Sequence, residues 1–195
     1  MIKCFIDVET GGLDPQGCAL LQIAGVIEGK GVEEKFNFHI KPFDADQIDP
    51  KALAVNNLTL EQINEFESPK TVYDNLLQLW GKYVDCYDKR DKMFFVGYNS
   101  HSFDMPFMRE FFRKCRDKYF GSWFFYPSID VMILAAQAML DKRRWMPDFK
   151  LMTVADRLGI PVDQSKLHDA FYDIEITKKI YEEVTKDESF TENKL

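Results

Sequence analysis

The hydrophobic period of this chain changes partway along, and that change limits the folds open to it. Residues 2–8 are apolar apart from Lys3 and Asp7, and residues 20–28 (LLQIAGVIE) form a second apolar run. Residues 32–41 (VEEKFNFHIK) alternate as a strand with one wetted face does. Gly-Lys-Gly at 29–31 joins the last two runs as a hairpin turn. An antiparallel meander is therefore expected first. Helical signals follow. Thr59 ahead of Leu60-Glu61-Gln62 is a capping box, and residues 70–87 carry Val72, Leu76, Leu79, Tyr83 and Cys86 at helical spacing. MFFVGY at 93–98 is a short buried strand, and 106–119 is a helix with Phe107, Met108, Phe111 and Phe112 inward. Residues 127–140 pass from a short strand into a helix, and 150–158 and 170–185 are two more helices. Three antiparallel strands followed by strands alternating with helices predict an α/β fold, a mixed sheet with helices on both faces. Ligands of such sheets sit at the strand ends.

At 195 residues the chain suits a single domain, expected over 1–185, with a polar tail at 186–195 that frays. Seventeen Phe predict a thick aromatic core. The net charge of −7 argues against coating nucleic acid by bulk electrostatics. It is compatible with an acidic site that meets phosphate through a divalent metal. Residues 105–118 (MPFMREFFRKCRDK) run against the balance, with five Lys/Arg to two acids, and read either as a small basic face or as a solvated helix face. Cys4, Cys18, Cys86 and Cys115 match no zinc or redox spacing and read as free buried thiols of a reducing, cytoplasmic setting. No signal peptide and no apolar stretch of membrane-spanning length is present, so no membrane association is expected.

The chemistry is carried by acids in unexpected places. Asp7 and Glu9 stand two apart in an apolar strand, so both point to one face. Two buried like charges there cost stability unless a cation lies between them, and oxygen ligands suit a divalent ion. An edge strand with a solvated acidic face is the alternative. Asp173-Ile174-Glu175 has the same spacing in a helix, where the two side chains diverge. Asp173 itself lies at the edge of a stripe through Ala170, Ile174, Thr177, Tyr181 and Val184, where it either needs a partner or leans to solvent. With Asp169 as N-cap, His168 is N′ and Asp173 is N4, positions whose side chains meet. His168 is then a general-base candidate, or simply a loop histidine. Asp104 follows a buried strand and precedes a helix with Pro106 in its first turn, which also suits an acid that only stabilises a helix dipole. His101 in the same loop has no evident partner and reads as a surface residue.

Taken together, FIDVETGGL, GYNSHSFDMPFM and HDAFYD resemble, in order, the three motifs of the DEDDh (DnaQ-like) 3′–5′ exonucleases. The resemblance runs from residue 2 to about 185 and implies a ribonuclease H-like mixed sheet, three antiparallel strands then two parallel. It makes Asp7, Glu9, Asp104 and Asp173 the four metal acids and His168 the proton acceptor. The position that a tyrosine occupies in the sister branch is Asp169. The cofactors implied are two divalent ions, Mg²⁺ or Mn²⁺, with Asp7 shared between them, Glu9 and Asp173 completing the first, and Asp104 supporting the second. Thr10, Gly11, Gly12, Leu13, Asn99 and Phe103 are implied to meet the substrate. Gly11 and Gly12 give the backbone close approach, Leu13 wedges against the last bases, and Phe103 packs or stacks beside them. Core packing is the alternative for Leu13 and Phe103. Asn99 and Asp104 are five residues apart, where the commonest form of the second motif has four. Exonuclease I-like branches share the longer spacing, so the difference bears on the branch and on Asn99 rather than on the acids.

The partner implied is a nucleic acid 3′ end, single-stranded or frayed, releasing nucleoside 5′-monophosphates. Single-stranded DNA is the leading substrate, and trimming of RNA ends or short oligoribonucleotides is the alternative. A catalytically silent nucleic-acid-binding module fits less well because all five functional positions are filled, and the strand–helix order and the third motif argue against an unrelated metal phosphohydrolase. A homodimer or a polymerase partner is open, since related enzymes differ in this.

Overall fold

Residues 29–31 reverse the chain through three positive φ angles, 131°, 53° and 81°. Two of them fall at glycines, which adopt that region without penalty. The turn joins β2 (Leu20–Gly29) to β3 (Val32–His39) in antiparallel register, with Gly29 opposite Val32. β2 also pairs antiparallel with β1 (Ile2–Thr10), so the meander forms as expected. The computed structural model describes residues 1–163, 165 and 169–186. On the other side of β1 lie β4 (Met93–Gly97) and β5 (Ile129–Asp130), both parallel, in the order β3-β2-β1-β4-β5. The helices among the described residues are α1 (Pro50–Asn56), α2 (Leu60–Asn64), α3 (Pro69–Trp80), α4 (Asp104–Lys114), α5 (Val131–Ala138), α6 (Leu151–Arg157) and α7 (Ala170–Val184). None is long and apolar enough to cross a membrane. The mixed sheet and its flanking helices are the ribonuclease H-like arrangement.

Strand alternation divides β1 between two cores. Cys4, Ile6 and Val8 pack with Leu76 and Trp80 of α3 and with Phe107 and Phe112 of α4. Phe5 points the other way, into Val131, Val154, Ala170 and Ile174 of α5, α6 and α7. The first core is aromatic: Trp80 stacks on Phe112 at 5.8 Å between centroids and meets Phe124 edge-on at 4.9 Å. Rings in such offset and edge contacts gain beyond their buried area. A smaller cluster of Ala19, Leu21 and Ile63 seats α2, whose capping box forms in both directions between Thr59 and Gln62.

Several boundaries differ from the sequence expectation. α3 stops at Trp80, and Tyr83 and Cys86 lie in the turns that follow; they keep helical spacing because that segment still leans on the core. α4 spans 104–114 rather than 106–119, so Asp104 is its first residue. α7 buries Ile176 and Ile180 with Ala170, Ile174 and Thr177, whereas Tyr181 and Val184 are half-buried. Only Cys4 of the four free cysteines is fully buried. The cations of 105–118 are solvated or paired with local acids: Arg113 with Glu110, and Lys114 with Asp46 at 2.5 Å. The expected tail falls almost wholly outside the described residues.

Candidate active site

The acids of β1 face α7. Asp7 and Glu9 share the face of Phe5 and are half-buried, and Asp7 lies opposite the small Ala24 of β2. α7 packs across β1 and β2 on this face, and its N4 residue is Asp173. The predicted cap is present: the Asp169 carboxylate accepts the Tyr172 N–H at 3.0 Å, which makes Asp169 the N-cap. His168, the expected N′ residue, lies outside the described residues.

Asp104 reaches the same place from the other face of the sheet. β1 outruns β4, whose pairing with it ends at Phe5 opposite Val96. The free N–H of Val8 on that side donates to Asp104 Oδ1 at 3.1 Å. This bond crosses 96 residues of sequence and fixes the start of α4 against β1. Asp104 is only 4% exposed.

The four carboxylates act on one another. Burial first, and then repulsion from Asp104, Glu9 and Asp173, holds the Asp7 carboxyl well above the usual carboxylate range. Burial and the charge of Asp173 push Glu9 up to about 7. Burial also lifts Asp104 to about 7 against the pull of its backbone hydrogen bonds, with Asp130 and Glu9 adding repulsion. Among the described residues no Lys or Arg pairs with Asp7, Glu9 or Asp104. A set of hard oxygen donors with raised proton affinity and no cationic side chain suits a divalent ion. As the side chains stand, no group of three or more His, Cys, Asp or Glu among the described residues is arranged to hold an ion.

The segment after β1 is locked to the protein's own backbone. Gly11 donates to Ala19 O at 2.8 Å and accepts from Asp49 N at 2.7 Å. Thr10 Oγ1 donates to Gly12 O at 2.7 Å, and Asn56 Nδ2 donates to Thr10 O at 3.0 Å. A Cβ on Gly12 would lie 2.5 Å from Cys18 Sγ, and one on Gly11 would lie 3.0 Å from Gln47 O. A side chain at either position would crowd this turn, against Cys18 from position 12 and against the Gln47 backbone from position 11. Beside Glu9 opens a cleft of about 380 Å³, lined by Val8, Thr10, Gly12, Leu13 and Phe103 and by residues 49, 51, 52, 55 and 56 in and beside α1. Leu13 is 85% exposed, which removes the core-packing alternative for it. Phe103 both lines the cleft and packs on Phe107 at 5.1 Å. Nothing in the sequence marked the α1 wall, where Val55 is 52% exposed, because a short capped helix reads the same wherever it docks.

Asn99 sits at φ 57° and turns the loop between β4 and α4. The sequence reading passed over the residue that holds this loop. Asp130, at the end of β5, accepts the N–H groups of Asn99 and His101, each at 3.1 Å, and of Met132 at 3.0 Å. An acid inside the apolar run SIDVMIL was the available signal. His101 is exposed, as expected, but its ring lies 3.4 Å from Ser128 Oγ.

Comparison with known proteins adds three findings. A family model described as Exonuclease matches residues 4–181. The chain is 28% identical over 188 residues to Ribonuclease T of Shewanella oneidensis, covering 90% of this chain and 78% of the relative. The Shewanella baltica protein of the same name is 28% identical over 191 residues, with the same coverage of each chain. Among solved structures, E. coli Exonuclease I in complex with a dT13 oligonucleotide superposes with a TM-score of 0.76 at 20% identity. That likeness covers 96% of this chain and 41% of the other, so this chain spans about two fifths of it. The zinc-bound complex of E. coli Exonuclease I with single-stranded DNA gives 0.74, at 20% identity over 94% and 40%.

Proposed function

Because the chain belongs to the exonuclease family, as a DEDDh 3′–5′ exonuclease of the ribonuclease H-like superfamily, we propose that it shortens single-stranded DNA one nucleoside 5′-monophosphate at a time. The observation that carries this reading is the meeting of Asp7 and Glu9 with Asp104 and Asp173. Three distant segments bring carboxylates within mutual influence, and no Lys or Arg among the described residues pairs with the first three. The family reading implies dependence on divalent metal. Two ions, Mg²⁺ or Mn²⁺, are proposed; Asp7, Glu9 and Asp173 would hold one, and Asp7 with support from Asp104 would hold the other. Bound there, they supply positive charge to the scissile phosphate and lower the pKa of a water.

The remaining work falls to the chain's own groups. The Val8 N–H keeps Asp104 aimed across the strand ends. Leu13, Phe103 and the α1 wall offer apolar surface to the terminal base beside Glu9, and stacking or apolar contact there reads no sequence. His168 takes the proton of the attacking water; the N-cap at Asp169, one residue on, supports that assignment. The oligonucleotide complexes of E. coli Exonuclease I support a single-stranded DNA substrate at the level of fold. The relatives named Ribonuclease T favour a second reading, an exoribonuclease.

Digestion of 5′-labelled single-stranded DNA, matched RNA and duplexes, with Mg²⁺ or Mn²⁺ and an EDTA control, tests both. The expected result is a metal-dependent ladder anchored at the 5′ label, fastest on single-stranded DNA. Faster RNA digestion selects the second reading, and no cleavage of any substrate refutes both.

A further inference from the structure

The loop from Asn99 to Phe103 is the longer form of its motif, and it delivers Asp104 to the site. Its own side chains hold it weakly. Ser100, fully buried near the middle of the loop, makes no side-chain hydrogen bond among the described residues. The His101–Ser128 contact is long at 3.4 Å. Within the loop, Asn99 O accepts from Ser102 and Phe103 at 3.2 Å, and Ser100 O accepts from Met105 at 2.9 Å. The strongest external tie is Asp130. Its carboxylate is 6% exposed and divides its oxygens: Oδ1 takes Asn99 N and Met132 N, and Oδ2 takes His101 N. One side chain therefore caps α5 and clamps the loop at both sides of Ser100.

We propose that Asp130 is a positioning residue for Asp104, clamping the longer loop so that Asp104 stays on Val8 N beside the like charges of Asp7 and Glu9. Asp130 has committed both oxygens to backbone N–H groups, so it acts through the loop and not as a ligand. An ionised carboxylate suits this task, because charge-assisted bonds to N–H groups are the strong kind. An Asn in its place has one acceptor oxygen and cannot satisfy both sides of the loop. The proposal rests on the reading of Asp104 as a metal-site acid.

The test compares wild type with Asp130→Ser, Asp130→Asn, Asp104→Asn and the double variant Asp104→Asn/Asp130→Asn. Three quantities are read: Mn²⁺ affinity by calorimetry without substrate, kcat and KM on a single-stranded oligonucleotide, and Tm. Serine can still cap α5 but is too short to hold the loop. The expected result for Asp130→Ser and Asp130→Asn is Mn²⁺ affinity and kcat each down by about 10–100-fold, the scale of lost outer support at metal sites, with KM within about twofold. The double variant should bind Mn²⁺ no worse than Asp104→Asn alone, since residues acting as one unit are not additive. Wild-type Mn²⁺ affinity in both Asp130 variants overturns the proposal. So do losses that add in the double variant, which mark a general structural role. A wild-type protein that neither binds Mn²⁺ nor cleaves overturns the metal-site reading, and the proposal with it.

Discussion

Asp7, Glu9 and Asp104 make the metal-free protein sensitive to pH in a direction opposite to that of an ordinary salt-bridged acid. Their folded pKa values lie above those of the unfolded chain, so folding takes up protons. The stability they allow is fully present below about pH 4 and is lost as pH rises through about 7. His39, lowered by burial from 6.5, works the other way below that value, so the comparison belongs above it. In EDTA, Tm should fall between pH 6.5 and pH 8, and saturating Mg²⁺ at pH 8 should restore about 5–10 °C. A Tm that rises over that interval would contradict the acid cluster. Asp7→Asn removes the most strained of these charges. It should cost at least about a hundredfold in turnover, the scale of one lost electrostatic group, while Tm in EDTA holds or rises. Retained turnover would remove Asp7 from the mechanism. His168→Ala should cut the rate by about 10²–10⁴ and leave Mn²⁺ affinity intact; a collapse of affinity would make His168 a ligand instead.

At the scale of elements, the strands were legible and the helix ends were not. Strand alternation is read directly from residues such as Phe5 against Ile6, because each face meets a different core. Pro106 misdirected the start of α4. Proline is commonest at the first helical position, but here it is the third, where the N–H it lacks would have no helical partner anyway. The end of α3 was hidden because the turns after Trp80 still touch the core. Asp7 and Glu9 stand out in the sequence as charges in an apolar strand, whereas Asp104 is picked out only by its motif, since an acid at a helix start breaks no local rule. Asp130 and the α1 wall were not legible, since their role depends on which loop folds beside them. The elements also differ in what they contribute. Thr59→Ala removes a two-way cap on an exposed five-residue helix and should cost about 1 kcal/mol. Phe112→Ala opens the Trp80 stack and should cost about 3–5 kcal/mol. Chemical denaturation of both variants checks the ranking, and equal losses would mean that α2 is more central than its packing implies.

For the molecule as a whole, charge sets when substrate can stay. A chain of −7 whose 105–118 cations are solvated or locally paired has little to hold a polyanion. Fluorescence anisotropy should give Kd no tighter than about 10⁻⁶ M for a labelled single strand in EDTA, within the range of non-specific contacts. Adding Ca²⁺ should tighten binding at least about tenfold. Nanomolar affinity in EDTA would contradict this and point to a basic surface such as the exposed Lys142-Arg143-Arg144 turn. The strand order has one more consequence, which concerns synthesis. β1 lies at the centre of the sheet, yet two of the four acids that meet there come from much later in the chain, at Asp104 and Asp173. A ribosome adds on the order of 5–20 residues each second, so about 8–33 seconds pass between the making of Glu9 and of Asp173. Until Asp104 is made the growing chain carries two of the four proposed metal acids, and from then until Asp173 it carries three. The four acids therefore cannot meet until α7 has been made and has packed across β1.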